Sequence, residues 1–367
     1  MNRYVYVHIP FCEVICHYCH FYTARAAEAR DQSSFFRALG LEASRALPGI
    51  APELEAIYFG GGTPGASPPE KIAEYLQLFG SRITPKTEIT LEANPSNVTK
   101  ERARAWRAAG VNRISLGVQS LDDPTLKRLG RAHSAEEARR AVEICAAEIP
   151  NVSCDLIYAV PEQPEGTPAA HAIELHRLGA RHLSLYHLTL EKSHFLYANL
   201  PSDSFAWDQL RHVADSLEPL GFRHYEVASF ALPGAQSRNN ENYWSGGPYL
   251  AFGPSAHGFD GKRERWSHVS DWQEYIRRAE AGESTRAWTE QLTDEQLRIE
   301  VIFTRLRTSN GLDLDTFAQR FGSDLRETHR SWILRWEKEG LAKVERDSLV
   351  LTFSGKMLLD EIARALI

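Results

Sequence analysis

The chain has 367 residues, 43% of them hydrophobic and 25% charged, which is enough for two or three domains with ordinary cores. A net charge of −6, from 42 basic and 48 acidic residues with no long basic run, excludes an electrostatic nucleic-acid footprint. No apolar stretch reaches the roughly 20 residues that span a bilayer, so membrane contact is expected to be transient at most.

In chain order, the run Tyr4 to His8 reads as a first strand and leads directly into Cys12, Cys16 and Cys19. Short β-like runs then recur at Ala56 to Phe59, Thr87 to Glu92, Arg113 to Gly117, Ser153 to Tyr158 and His182 to His187. Between them, Glu70 to Phe79, Lys100 to Ala109, Ser134 to Ala147 and Pro168 to Leu178 carry the apolar spacing of amphipathic helices. Parallel strands need covering crossovers, so the alternation predicts an α/β fold. A partial (β/α)6 barrel fits the count better than a three-layer sheet. Leu232 to Gln236 and Trp244 to Pro248 interrupt regular structure. Beyond about Thr293, Glu295 to Arg305, Asp315 to Phe321 and Asp324 to Glu339 read as helices, with a hairpin over Leu341 to Glu345 and Leu349 to Thr352. The expected organisation is a core over 1–230, a connecting region over 231–290 and a small C-terminal domain over 291–367.

Chemistry is concentrated in the cysteine loop. Cys12, Cys16 and Cys19 place three soft thiolates within eight residues, with no fourth cysteine nearby. A closed zinc site could be completed by His8, His17 or His20. An incompletely ligated iron-sulfur cubane, with one iron open to an exogenous ligand, fits the spacing better. The odd, clustered cysteine count argues against disulfides and for a reducing, cytoplasmic compartment, as does the lack of a secretory segment. Cys145 and Cys154 read as core packing, and Trp207 and Trp272 as buried helix residues.

Further motifs fall at the carboxyl ends of the predicted strands, where α/β folds place binding loops. They are Gly60-Gly61-Gly62-Thr63-Pro64, Glu92-Ala93-Asn94-Pro95, Gly117-Val118-Gln119-Ser120 and Asp155-Leu156-Ile157-Tyr158, with Arg131 beyond the fourth strand. The glycines permit close backbone approach, and Arg131 offers a fork for a carboxylate. Together they describe a pocket for a zwitterionic, nucleoside-like ligand beside the cluster.

At these residues the chain resembles the radical S-adenosylmethionine (SAM) superfamily. Cys12-Glu13-Val14-Ile15-Cys16-His17-Tyr18-Cys19 matches its CxxxCxxC signature. More narrowly, the chain is similar to the oxygen-independent coproporphyrinogen III oxidase-like group, which includes haem chaperones. The similarity runs through positions 6–12, 60–64, 92–95, 112–120, 126–134 and 155–158, then Tyr243-Trp244 and Gly253 to His257. It implies a radical SAM barrel with a winged-helix-like C-terminal domain. It also implies a 4Fe-4S cluster on Cys12, Cys16 and Cys19, whose fourth iron takes the amino and carboxylate groups of SAM. Tyr18 would lie against adenine, and Gly60, Gly61 and Gly62 would bind the methionine amino group. Gln119 and Asp155 would hold ribose and Arg131 the carboxylate, with Tyr6, Thr63 and Glu92 in the same polar shell.

The early cluster loop, the absence of a CxxCGC continuation and the C-terminal module favour the haem-chaperone branch. That branch implies haem binding and transfer to a haem-dependent respiratory protein or other acceptor, supported by a reducing electron donor. The alternative is a radical enzyme acting on a porphyrinogen or another organic substrate through a 5′-deoxyadenosyl radical, so the resemblance leaves turnover as the principal role open. Two positions depart from the pattern. His20 stands where chaperones carry aspartate, and Asn239 stands where an HNxxYW motif carries histidine. With Asn239 unable to replace an imidazole, His257 becomes the preferred haem-ligand candidate.

Overall fold

The computed structural model describes residues 1–26 and 32–367. Six strands form the centre of the fold: β1 (Tyr4–Ile9), β2 (Ala56–Gly61), β3 (Glu88–Ala93), β4 (Arg113–Gln119), β5 (Asn151–Tyr158) and β6 (His182–His187). They lie side by side in chain order and all run parallel. Helices Pro69–Gln77, Lys100–Ala109, Ala135–Glu148 and Thr167–Arg177 fall between successive strands from β2 to β6. Each predicted strand and helix of this region is present, with ends shifted by a few residues.

Strand alternation sets what each face does. Val5, Val7 and Ile9 of β1, Ile89 and Leu91 of β3, and Ile114, Leu116 and Val118 of β4 are almost fully buried in the main apolar core. Their neighbours point the other way, because successive side chains leave opposite faces of a strand. The opposite face is polar. One register row across the sheet reads Tyr6, Tyr58, Thr90, Arg113 and Asn151, and the next reads Glu92, Ser115, Ser153 and His182.

The six strands are extended at both edges by pieces that the sequence pattern does not announce. β7 (Arg223–Glu226) and β8 (Ser229–Ala231) form an antiparallel ribbon with β8 against β6, and β9 (Leu250–Phe252) runs parallel beside β1. The resulting order, β9-β1-β2-β3-β4-β5-β6-β8-β7, leaves the barrel open between β9 and β7. Strands of three or four residues are too short to show a period, so pairing with an existing edge determines them.

The C-terminal domain has its own core, including Leu306, Phe317, Ile333, Trp336, Leu349 and Ile362. Its hairpin, Ala342–Glu345 with Ser348–Leu351, is joined by Leu312–Asp313 in a three-stranded sheet beside helices, the winged-helix-like arrangement expected. The single helix expected over 324–339 is two, Leu325–Thr328 and Arg330–Lys338, broken at His329, which adopts non-helical φ −122° and ψ 24°. Trp207 also departs from expectation, being 39% exposed on its helix. Cys145 and Cys154 are fully buried in the core.

Arg307 joins the domain to the barrel. Its guanidinium pairs with Glu226 at 3.0 Å and lies 4.0 Å over the ring of Trp244, on the helix Arg238–Trp244. Glu226 is 2% exposed, so removing its partner strands a buried charge. Arg307→Ala is therefore expected to cost about 3 kcal/mol in chemical denaturation, and Arg307→Met combined with Glu226→Leu to recover most of it. A loss below about 0.5 kcal/mol for the single variant would show that the pair is no anchor.

Candidate functional site

One cavity of about 420 Å³ opens at the carboxyl ends of the strands and gathers most of the predicted site. Cys12, Cys16, Cys19 and Tyr18 line it from the cysteine loop, Gly61, Gly62 and Thr63 from the end of β2, and Glu92, Gln119, Arg131 and Asp155 from or beyond β3, β4 and β5. Among the described residues no three His, Cys, Asp or Glu side chains converge on a position for a single metal ion. The three thiols instead share one cavity without meeting at a point. That arrangement fits a cluster, which takes each thiolate on a separate iron, better than a mononuclear zinc site.

The loop is held by short-range geometry. Cys12 ends a two-residue strand, Phe11–Cys12, paired with Ala24–Arg25, and the Cys19 N–H donates to the Cys16 carbonyl at 3.1 Å. Burial pushes the Cys12 and Cys19 thiols up from their ordinary range, so without a metal both favour the neutral form.

A polar chain connects two of the thiols to one guanidinium. Arg131 Nη1 donates to Cys16 Sγ at 3.2 Å, and Nη2 donates to Asn94 Oδ1 at 2.6 Å and to the Gly117 carbonyl at 2.8 Å. Asn94 Nδ2 donates to Thr63 Oγ1 at 3.1 Å, and Thr63 lies 3.4 Å from Cys12 Sγ. Because the Thr63 oxygen accepts from Asn94, its own hydrogen is free to point at the sulfur. Asn94, which the sequence places in the strand-end motif after Glu92 without giving it a role of its own, is thus part of the site.

Glu92 supports the glycine turn. Its carboxylate accepts from Tyr58 Oη at 2.7 Å and from the Gly61 N–H at 3.2 Å. Burial pushes Glu92 up to about 7, opposed by the Tyr58 hydrogen bond, and pushes Asp155 up to about 6, opposed by Ser184. Ser115 Oγ lies 3.3 Å from Asp155 Oδ2. Tyr58, Ser115 and Ser184 carried no sequence signal, since only the register of the sheet brings them to these carboxylates. Gln119 has a left-handed φ of 64° at a break in the pairing of β4 with β5, an uncommon conformation for a residue with a side chain. The bend carries it to the cavity wall.

The glycines have a further duty. A Cβ at Gly62 would lie 2.3 Å from the Pro10 carbonyl oxygen, so the turn packs directly on the backbone that leads into Cys12. Gly60 lies against the Tyr6 ring and is not on the cavity wall. Tyr6 is set behind the wall as well, with its hydroxyl 3.1 Å from His8 Nδ1. His257 is not brought to the cavity; it is exposed, with its ring 5.8 Å from that of Trp288. Asn239 is 1% exposed near the first residues of the helix Arg238–Trp244, whose leading N–H donates to Glu88 at 3.0 Å. Position 239 therefore has no open face for a macrocycle.

Residues 6–173 match the family model of the Radical SAM superfamily and residues 292–358 that of the HemN C-terminal domain. The chain is 32% identical over 372 residues to "Heme chaperone HemW" of Bacillus subtilis (strain 168), with 97% of each chain covered. It is 33% identical over 383 residues to "Radical S-adenosyl methionine domain-containing protein 1, mitochondrial" of Bos taurus, covering 97% of this chain and 82% of that one. The solved structure of coproporphyrinogen III oxidase (HemN) from Escherichia coli superposes with a TM-score of 0.83 at 20% identity, over all of this chain and 90% of that one, which shows a shared fold. Fold and cysteine loop together define a radical SAM protein with a HemN-type C-terminal domain. Within that class, the chain belongs to the HemN/HemW family of coproporphyrinogen oxidase and haem chaperone homologues.

The partner expectations are corrected here. No described helix is long and apolar enough to cross a membrane, and nothing among the described residues supports the expected transient membrane association. The expected haem-dependent respiratory protein or other acceptor and the reducing electron donor are likewise without support, since none of these similarities names a specific protein partner.

Two outcomes follow from the geometry. Thr63→Val removes the hydroxyl aimed at Cys12; a hydrogen bond of about 1 kcal/mol corresponds to about 40 mV for one electron, so a cluster on these cysteines should become harder to reduce by that order. An unchanged midpoint in an electron paramagnetic resonance titration would remove Thr63 from the sulfur's surroundings. The folded chain holds a proton on Glu92 between pH 4.5 and about 7 that the unfolded chain has already released. The stability this adds is complete below pH 4.5 and lost as pH rises to about 7. In that window the Tm of the metal-free protein should fall relative to Glu92→Gln, and parallel curves would show that Glu92 keeps its ordinary affinity for protons.

Proposed function

We propose that this chain binds a 4Fe-4S cluster and SAM in the cavity and acts on a tetrapyrrole or related organic substrate at its mouth. The observation that carries the reading is the joining of three thiols, the glycine turn and the strand-end carboxylates around one volume. Cys12, Cys16 and Cys19 would hold the cluster, and Arg131, Gln119, Asp155 and the turn at Gly61 and Gly62 would hold SAM. When bound, the pair supplies one-electron cleavage of the sulfonium and hence hydrogen-atom abstraction. The chain's own contribution is alignment. Glu92 fixes the turn through Gly61, Asn94 and Thr63 tie Arg131 to Cys12, and the buried carboxyls of Glu92 and Asp155, both raised by burial, place oxygen acceptors where ribose hydroxyls or an amine would donate.

A second reading, haem binding and delivery, is favoured by the relatives bearing the name "Heme chaperone HemW" across nearly the whole chain. A paired anaerobic assay separates the two. Reconstituted protein should form 5′-deoxyadenosine from SAM, and replacing any one of the three cysteines by alanine should abolish a stable cluster and that product. Conversion of coproporphyrinogen III without saturable haem uptake would select the enzyme. Stoichiometric haem uptake without conversion would select the chaperone, and neither result would reject the tetrapyrrole reading.

A further inference from the structure

A second groove, of about 480 Å³, adjoins the cavity and shares Cys19 and His20 with it. Its outer wall is formed by His194 and Phe195, whose rings stack with centroids 4.5 Å apart. Phe195 is 67% exposed and Phe21, next to His20, is 72% exposed, so among the described residues large apolar faces surround the mouth uncovered. His20 is exposed and its ring makes no hydrogen bond among the described contacts, which leaves both nitrogens available.

The wall is built rather than incidental. Leu188, Leu190 and Leu196 pack with Leu129, Ile157 and Val160 beneath it. His17 braces the rings edge-on, 5.2 Å from Phe195, and rests on Gly130, where a Cβ would lie 2.4 Å from His17 Nε2. Gly130 also has φ +67°, so a side chain there would be strained and would dislodge His17. His194 Nδ1 accepts the Leu196 N–H at 3.1 Å, which leaves the proton of a neutral ring on Nε2, a buried nitrogen without a partner among the described contacts, and makes His194 a wall, not an iron ligand. His17 is taken up in ring contacts with His194 and Phe195, so of the three imidazoles lining the groove His20 is the one with neither a hydrogen bond nor a ring contact among the described contacts.

We propose that this groove receives a metalloporphyrin, its flat face on the His194–Phe195 pair and its iron within reach of His20. A volume of this order, aromatic walls and one free imidazole beside the cluster loop match a planar, apolar macrocycle with a metal at its centre. The assignment rests on the tetrapyrrole reading of the adjoining cavity and adds a place and a ligand to it. His257, exposed beside Trp288 and absent from both cavities, is the comparison position.

The test titrates the full-length chain with ferric protoporphyrin and follows the Soret band and the affinity. His20→Ala is expected to move the Soret maximum and weaken uptake about tenfold, a loss of about 1.4 kcal/mol. Phe195→Ala should weaken uptake by a similar factor and leave the Soret position in place. It lies outside the cysteine loop, so it tests the groove even if His20→Ala disturbs cluster incorporation. His257→Ala should change neither property. Saturable uptake that both groove variants leave unchanged would overturn the groove while the tetrapyrrole reading stands. Loss of the Soret shift in His257→Ala instead would move the ligand there and also overturn it. Absence of saturable uptake by the unaltered chain would overturn the groove as a haem site, while the porphyrinogen arm of the paired assay decides the broader reading independently.

Discussion

Everything in this molecule depends on the alternation of apolar and polar side chains along parallel strands. Parallel sheets covered by helices are usually apolar on both faces. Here Val5, Val7 and Ile9 meet the helices, while Tyr4, Tyr6 and His8 point to the other side, and β3 and β4 repeat the pattern. A polar face turned inward is stable only if its groups meet water, a ligand or one another's hydrogen bonds. Curving into an open barrel supplies the enclosure, and the carboxyl ends of the strands then deliver Gly61, Glu92, Gln119 and Asp155 to one volume.

The cysteine loop depends on that frame in a particular way. Three thiols on a short loop would be mobile alone. Their placement comes from Phe11–Cys12 pairing with Ala24–Arg25, from the glycine turn packed on Pro10, and from Arg131 reaching Cys16 directly and Cys12 through Asn94 and Thr63. The guanidinium thus serves two needs, since it can meet an anionic ligand and also donates to sulfur that becomes anionic when it binds iron. Its bonds to Asn94 and the Gly117 carbonyl fix its plane.

The segments outside the six units complete the enclosure. β9 extends the sheet beyond β1, helix Arg238–Trp244 lies against β2, and Arg307 of the C-terminal domain clasps Trp244 and Glu226. The C-terminal domain is thereby tied to the open side of the barrel. Family resemblance named this domain but carried no information on the contact, which joins residues far apart in the chain.

By itself, the sequence determined the six parallel strands, the helices between them, the three-thiol loop and the strand-end motifs. Each is encoded locally, in a period of two or 3.6 or in fixed spacing between reactive residues. Tertiary structure alone decided the rest. Three-residue strands such as β9 take their identity from a partner edge; Tyr58 and Ser115 reach the carboxylates through register; Asn239 is sealed from solvent by its neighbours; and His194 and Phe195 meet His17 only when the chain after β6 folds back over the cysteine loop. These features rest on long-range contact, whose geometry is fixed by the packing of the whole core and has no counterpart in any local pattern.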